Sequence, residues 1–155
     1  MSYWLLKSEP DEFSIQDLRL KKTGRWDGVR NYQARNFIEQ MQPGDLAFFY
    51  HSSCKTIGIA GVMSIASHAY PDPLAVDKSS PYFDEQSLQK NRWLAIDMQY
   101  KTTFKHVLKL ANIKALALND ERLLDLKLIQ KGNRLSVMPI SNEQWQCLME
   151  ACVPN

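Results

Sequence analysis

The segment Gly24-Arg25-Trp26-Asp27-Gly28-Val29-Arg30-Asn31-Tyr32-Gln33-Ala34-Arg35-Asn36-Phe37-Ile38-Glu39-Gln40-Met41 changes character halfway along. In its second half Ala34, Phe37, Ile38 and Met41 recur at i, i+3, i+4, i+7, which predicts a helix from about Asn31 to Met41 with that stripe facing a core. Asn31 is a good N-cap type and also falls at the edge of the inward face, so its amide is expected either to tie to backbone or to point into a cavity. The first half packs cations (Arg25, Arg30), aromatics (Trp26, Tyr32) and an amide into a glycine-bearing turn that leads into the helix. A helix start and arginine forks favour phosphate oxygens, and an aromatic plane gives a nucleobase a surface worth roughly 1–3 kcal/mol. The plainer account, with Trp26 and Tyr32 in the core and the arginines solvated, fits the same residues.

Outward from that segment, prolines and glycines divide the chain into alternating short strands and helices. Tyr3 to Lys7 reads as a buried strand that breaks at Pro10, and Ser14 with Asp17 as the capping signal of a short helix. Leu46 to Tyr50 and Ile57 to Ala66 read as neighbouring strands, Gly58 and Gly61 allowing close backbone approach. Trp93 to Tyr100 alternates like a half-buried strand. Helical turns are expected between Asn112 and Ile129, then a strand from Leu135 to Ile140. Ser141 and Gln144 open a last helix with a Trp145, Leu148, Met149, Cys152 stripe. The order predicts an α+β fold over residues 1–155, a curled mixed sheet or partial barrel of about five or six strands with peripheral helices. The segment Tyr70 to Arg92, carrying Pro71, Pro73 and Pro81, has little periodicity and is the candidate lid or recognition loop.

At 155 residues, with 45% hydrophobic and 23% charged content, the chain has the size and composition of one globular domain, which sets aside disordered and fibrous classes. A net charge of +2 and a pI of 8.4 leave a nucleic-acid partner open without requiring one. The near-neutral total is uneven, because Gln86 to Arg134 carries an excess of six positive charges and the remainder is acidic. No apolar run approaches the ~20 residues of a membrane span. No signal-peptide pattern precedes Tyr3, so no membrane partner is expected and a cytoplasmic location is, or a nuclear one in a eukaryote. The three cysteines, Cys54, Cys147 and Cys152, form no CxxC pair and have no histidine at zinc-ligand spacing, so neither a metal site nor a disulfide framework is expected.

Motifs with strong mechanical content are absent: there is no Gly-x-Ser-x-Gly elbow, phosphate loop, dinucleotide fingerprint or His-Glu-x-x-His. His51, near Ser52 and Cys54, suggests an activated nucleophile, but adjacent strand residues point to opposite faces. A hydrogen-bonded structural or ligand-contacting histidine is the competing account. Ser8-Glu9, Tyr50-His51-Ser52 and Ser136 place polar groups at several strand ends, which is how a sheet assembles one pocket from convergent hydrogen-bonding groups.

Tyr3-Trp4-Leu5-Leu6-Lys7-Ser8-Glu9-Pro10, Arg25 to Asn36, Gly44-Asp45 with Phe49-Tyr50-His51-Ser52, Tyr70-Pro71-Asp72-Pro73 and Gly132-Asn133-Arg134-Leu135-Ser136-Val137-Met138-Pro139 together resemble the EVE-domain family. The blocks keep the family's order from Tyr3 to about Ala151; the Leu-rich stretch Lys109 to Ile129 departs from its pattern. The resemblance implies a PUA-like fold related to the YTH domains, and a concave pocket for a modified base. Carried onto this chain, it implies a wall drawn from Ser8, Trp26, Asn31, Tyr32, Tyr50, His51, Ser52 and Ser136, with Arg30 and Arg134 near phosphate. No cofactor is implied.

The resulting expectation is a non-catalytic module that takes a modified base of DNA or RNA, such as methylated or hydroxymethylated cytosine or methylated adenine, stacks it on Trp26 or a neighbouring aromatic and reads its edge through Asn31, Ser52 and backbone groups. Its rival is a small nucleoside amidohydrolase of the ASCH type, another PUA-like resemblance, with Lys7 and Glu9 brought to one face by i, i+2 spacing. A plain interaction scaffold, with an exposed apolar patch and no pocket, is the third reading.

Overall fold

A computed structural model describes residues 1–152. The strands β1 (Tyr3–Ser8), β2 (Thr23–Trp26), β3 (Leu46–His51), β4 (Gly58–Ile65), β5 (Tyr70–Pro71), β6 (Leu94–Lys109) and β7 (Val137–Ile140) form one seven-stranded sheet. Its order is β2-β6-β4-β3-β1-β7, with the two-residue β5 pairing β6. β1 and β3 run parallel, Lys7 opposite Tyr50 and Ser8 opposite His51, and the other pairs are antiparallel. The helices are α1 (Ile15–Lys21), α2 (Tyr32–Gln40), α3 (Leu110–Ala117) and α4 (Asn142–Ala151).

Strand alternation divides the core into two layers. Trp4, Leu6, Ala47 and Phe49 pack with Trp26, Ile96 and Met98 beneath α1 and α2. Leu5, Phe48 and Tyr50 project to the other side, where Trp145 of α4 stacks on both Tyr3 and Phe48, centroids 4.5 and 4.0 Å apart. The helices start where their caps dictate. Ser14 with Asp17 and Ser141 with Gln144 form reciprocal capping boxes, and the Asn31 side chain accepts from the Ala34 N–H at 3.0 Å.

The expected five or six strands are seven, because Thr23–Trp26 and the two-residue Tyr70–Pro71 become strands by pairing with β6. It runs sixteen residues, well past Tyr100, and its register with β4 shifts between Ile59 and Gly61 and between Val62 and Met63. Both shifts add residues on the β6 side, and across the one between Val62 and Met63, where Lys101 is the extra residue, even-numbered side chains change face. Ile96 and Met98 join the α1–α2 layer while Phe104 and Leu108 join the α3–α4 layer. The backbones close up here: a Cβ on Gly61 would lie 2.2 Å from the Thr102 carbonyl oxygen, and one on Gly58 2.1 Å from that of Leu108. The sheet therefore curls without closing. β2 and β7, at opposite ends of the strand order, come round to face a common space beyond the ends of β1 and β3.

Candidate functional site

That space is a cavity of about 800 Å³. Strand ends supply Lys7 and Ser8 from β1 and Trp26 from β2, with Ser52 just after β3 and Ser136 just before β7. Phe13 enters from the β1–α1 turn, where the Ser8 hydroxyl donates to the Phe13 carbonyl at 2.6 Å. Its ring packs edge-on against Trp26 at 6.1 Å, and Trp26 meets Phe49 edge-on at 5.1 Å. Trp26 is 6% exposed, so it is at once a core residue and part of the cavity's apolar wall. Ser52 and Ser136 line the cavity with hydroxyls that make no hydrogen bond among the described residues.

The charged lining is mostly paired. Arg25 binds Asp27 at 2.8 Å, and the Tyr82 hydroxyl donates to Glu12, which pushes the Tyr82 pKa up to about 12. Arg30 donates through Nη1 to Asp72 at 2.8 Å, and through Nε and Nη2 to the Tyr82 carbonyl at 3.1 and 2.8 Å. Lys7 lies over the Tyr50 ring at 5.7 Å, and burial lowers its pKa. Arg134 has no ion-pair partner among the described residues.

The long segment 70–92 is pinned at its base and reaches the cavity at Tyr82. Asp72, fully buried, accepts from the Gly28 N–H, from Arg30 and from the Leu74 N–H, while its own N–H donates to the Trp93 carbonyl. Gly28 has φ +75°, and a Cβ there would lie 3.0 Å from the Tyr82 ring. Only glycine takes that backbone shape readily while leaving room for the ring. Tyr82, Phe13, Lys21 and Glu12 line the cavity without having been singled out from the sequence. An aromatic beside Pro81 in an otherwise aperiodic loop was the one available signal for Tyr82.

Ser8, Trp26, Ser52 and Ser136 are thus brought together with Arg30 and Arg134, and four expected wall residues are not. Asn31 takes the capping alternative and borders a smaller neighbouring cavity. Tyr32, about half exposed, stacks on Trp93 at 4.7 Å. Tyr50 points into the α3–α4 layer, where burial raises its pKa to about 12. His51 is 7% exposed and its Nε2 accepts the Ile15 N–H at 3.1 Å, so that nitrogen is tied to the start of α1. The expected phosphate role of Arg30 meets a similar obstacle, since its guanidinium is already held by Asp72 and Tyr82. Among the described residues no three His, Cys, Asp or Glu side chains gather to hold a metal ion, and no helix is long and apolar enough to cross a membrane.

The family description "EVE domain" matches residues 2–151. The chain belongs to the EVE-domain family. This EVE domain is 40% identical to human thymocyte nuclear protein 1 over 96% of the chain and 72% of that protein. A Pseudomonas syringae protein of known crystal structure is 52% identical, with a TM-score of 0.92 over 97% of this chain and 99% of that one. The crystal structure of human thymocyte nuclear protein 1 in complex with DNA containing 5-methylcytosine superposes with a TM-score of 0.92 at 38% identity, covering 97% of each chain. The open, curled sheet is the PUA-like arrangement that the family resemblance implied. An ASCH protein of Zymomonas mobilis, 10% identical at a TM-score of 0.54, shares the fold alone.

Proposed function

We propose that this EVE domain is a non-catalytic reader of a modified base in nucleic acid, DNA in the first instance, with the base turned out of its stack into the large cavity. The observation that carries the reading is the human relative's structure with 5-methylcytosine DNA, joined here to a cavity of about 800 Å³ with an aromatic wall. Phe13 and Trp26 supply the apolar surface, the hydroxyls of Ser52 and Ser136 pair with the base edge, and Arg134 receives a flanking phosphate. An added methyl group contributes about 1–3 kcal/mol in an apolar pocket, so discrimination by pocket shape alone is modest. The reading needs the domain to share a compartment with nucleic acid, the cytoplasm in a bacterium or the nucleus in a eukaryote.

Titrating DNA and RNA oligonucleotides carrying cytosine, 5-methylcytosine, 5-hydroxymethylcytosine or N6-methyladenine tests it. One modified oligonucleotide is expected to bind tightest, and Ser52→Ala with Ser136→Ala to reduce that preference. Trp26→Ala alone is a poor probe, because truncating a buried tryptophan costs about 3–5 kcal/mol and endangers the fold; Phe13→Leu is the milder aromatic test. Equal weak binding of every oligonucleotide overturns the proposal.

A second reading has one observation in its favour. Lys7, its pKa lowered by burial, and Glu9 line the same cavity, as a lysine–glutamate amidohydrolase requires. Release of cytidine from N4-acetylcytidine, abolished by Glu9→Gln, supports that enzyme; no turnover rejects it.

A further inference from the structure

Next to the base cavity lies a second hollow of about 360 Å³, between the start of α2 and the segment Lys127 to Leu135. We propose that this hollow seats the phosphodiester backbone flanking the base, so that one strand runs from the large cavity across Arg134 into the small one. The proposal rests on the base-reading function above and adds to it a second contact site with a different chemistry.

Arg134 lines both cavities, so the two adjoin at this residue. Both linings carry more cations than acids, but only the large one mixes Lys7, Lys21, Arg25, Arg30 and Arg134 with carboxylates. The large cavity contains Glu9, Glu12 and Asp27, whereas the small one contains no carboxylate and gathers Lys127, Lys131 and Arg134. None of these three cations makes an ion pair among the described residues. A base with amine and carbonyl edges tolerates acids near it; a polyanionic backbone does not, and the two linings sort those needs. Gln33 and Gln130 add neutral donors to the hollow's wall.

The segment bearing the cations is held in shape by its own hydrogen bonds, so the seat exists before a ligand arrives. Asn133 donates its amide to the Lys127 carbonyl and accepts the Leu135 N–H at 2.9 Å. Gly132 has φ +80°, with nothing within 4 Å of where a Cβ would stand, so its backbone is open to a close approach. The N-terminal turn of α2 is not needed for the argument, since the Asn31 side chain already accepts the Ala34 N–H.

A free phosphate or mononucleotide shares this chemistry, and salt dependence separates the sources. Each phosphate neutralised by a lysine releases counterions, contributing roughly 0.7 to the slope of log K against log salt for a single strand. The test is fluorescence anisotropy on single-stranded 12-mers with a central cytosine or 5-methylcytosine, between 50 and 200 mM salt. Wild type is compared with Lys127→Ala/Lys131→Ala and with the charge-matched control Lys101→Ala/Lys105→Ala on β6, melting temperatures being checked for each.

The first double variant is expected to lose several-fold affinity for both oligonucleotides alike and to flatten the slope by roughly 1.4. Its loss should be greater for oligonucleotides than for the nucleoside 5-methyl-2′-deoxycytidine, which carries no phosphate. An unchanged slope, or an equal change in the β6 control, overturns the phosphate seat. So does inorganic phosphate shifting the Gly132 amide resonance while oligonucleotide slopes stay put, which marks a site for free anion only. If wild type prefers the methylated strand and the slope does not move, the seat fails and the reader stands. If the slope flattens and none of the modified oligonucleotides named above is preferred, the seat stands and the reader fails. If wild type binds no oligonucleotide, both fail.

Discussion

Arg30 and Arg134 border the same cavity and have almost opposite surroundings. Arg30 is sequestered: its guanidinium is held by Asp72 and by the Tyr82 and Val29 carbonyls, and it lies over the rings of Tyr82 and Trp93. Arg134 is exposed, with no side-chain hydrogen bond or ion pair among the described residues. The first arginine organises the rim and the second is available to a ligand. Two cations that look equivalent along the chain thus divide into one held and one unpaired among the described residues, and what separates them is the presence of a buried carboxylate forty-two residues away.

The contrast is broken most severely at Asp72. Removing this fully buried carboxylate strips Arg30 of its only anionic partner, leaving it carbonyl acceptors alone, and leaves the N–H groups of Gly28 and Leu74 without an acceptor. Taking one partner from a buried charge pair costs about 3–5 kcal/mol, and the 22% exposure of the Arg30 side chain puts the expected loss for Asp72→Ala near the lower end, about 3 kcal/mol. Urea unfolding measures it, and faster proteolysis within residues 70–92 should accompany it. Arg30→Ala follows at about 2 kcal/mol, because the carboxylate it abandons keeps its two backbone donors. A loss under 0.5 kcal/mol for either variant means that Arg30 is as free as Arg134.

A pH titration sharpens the same division at the end of β3, where His51 is held and Ser52 is not. Burial disfavours the imidazolium, placing the folded-state pKa below the ordinary 6.5. A depressed pKa contributes stability that is present above pH 6.5 and lost as pH falls through the folded-state value. The cause here is direct, since a protonated Nε2 cannot accept the Ile15 N–H. Unfolding midpoints should therefore fall from pH 7.5 to pH 5, with about 1–2 kcal/mol at stake for the stranded buried N–H. His51→Gln, whose amide oxygen can accept without titrating, should flatten that dependence; an identical slope in wild type and variant rejects the anchoring role.

The same division decided what the sequence made legible. Local signals were honoured: the 34, 37, 38, 41 stripe and its Asn31 cap became α2, and both capping boxes formed. β2 was read as a turn because four residues containing Gly24 carry no period, and only pairing to β6 makes them a strand. The second half of β6 escaped notice because its bulges reverse the alternation that a strand reading depends on. Among the cavity's lining residues, Ser8, Ser52 and Ser136 are legible because each sits beside a strand that the sequence marks, and Trp26 because it stands among the arginines of the turn before α2. Tyr82 was not, since its place against Gly28 and Glu12 is set by contacts fifty-four and seventy residues apart in sequence. The N-cap identity of Asn31 signals its tie to the Ala34 N–H, whereas the partner of His51 is a backbone N–H thirty-six residues away, which leaves no trace in residue identity.

The smallest expected effect on stability is the most telling. Arg134→Ala removes an exposed side chain with no protein partner among the described residues, so the unfolding free energy should move by no more than about 0.5 kcal/mol. Binding should move independently: one lost phosphate contact weakens all oligonucleotides to a similar degree and lowers the single-strand salt slope by roughly 0.7. Arg134→Lys keeps the charge but not the planar fork, so it should restore the slope without restoring all of the affinity. The pair of variants thus separates charge from geometry at the point where the two cavities meet. If Arg134→Ala instead destabilises the fold as Arg30→Ala does, the arginine is a second rim brace, and the path from base to backbone has to cross the rim elsewhere.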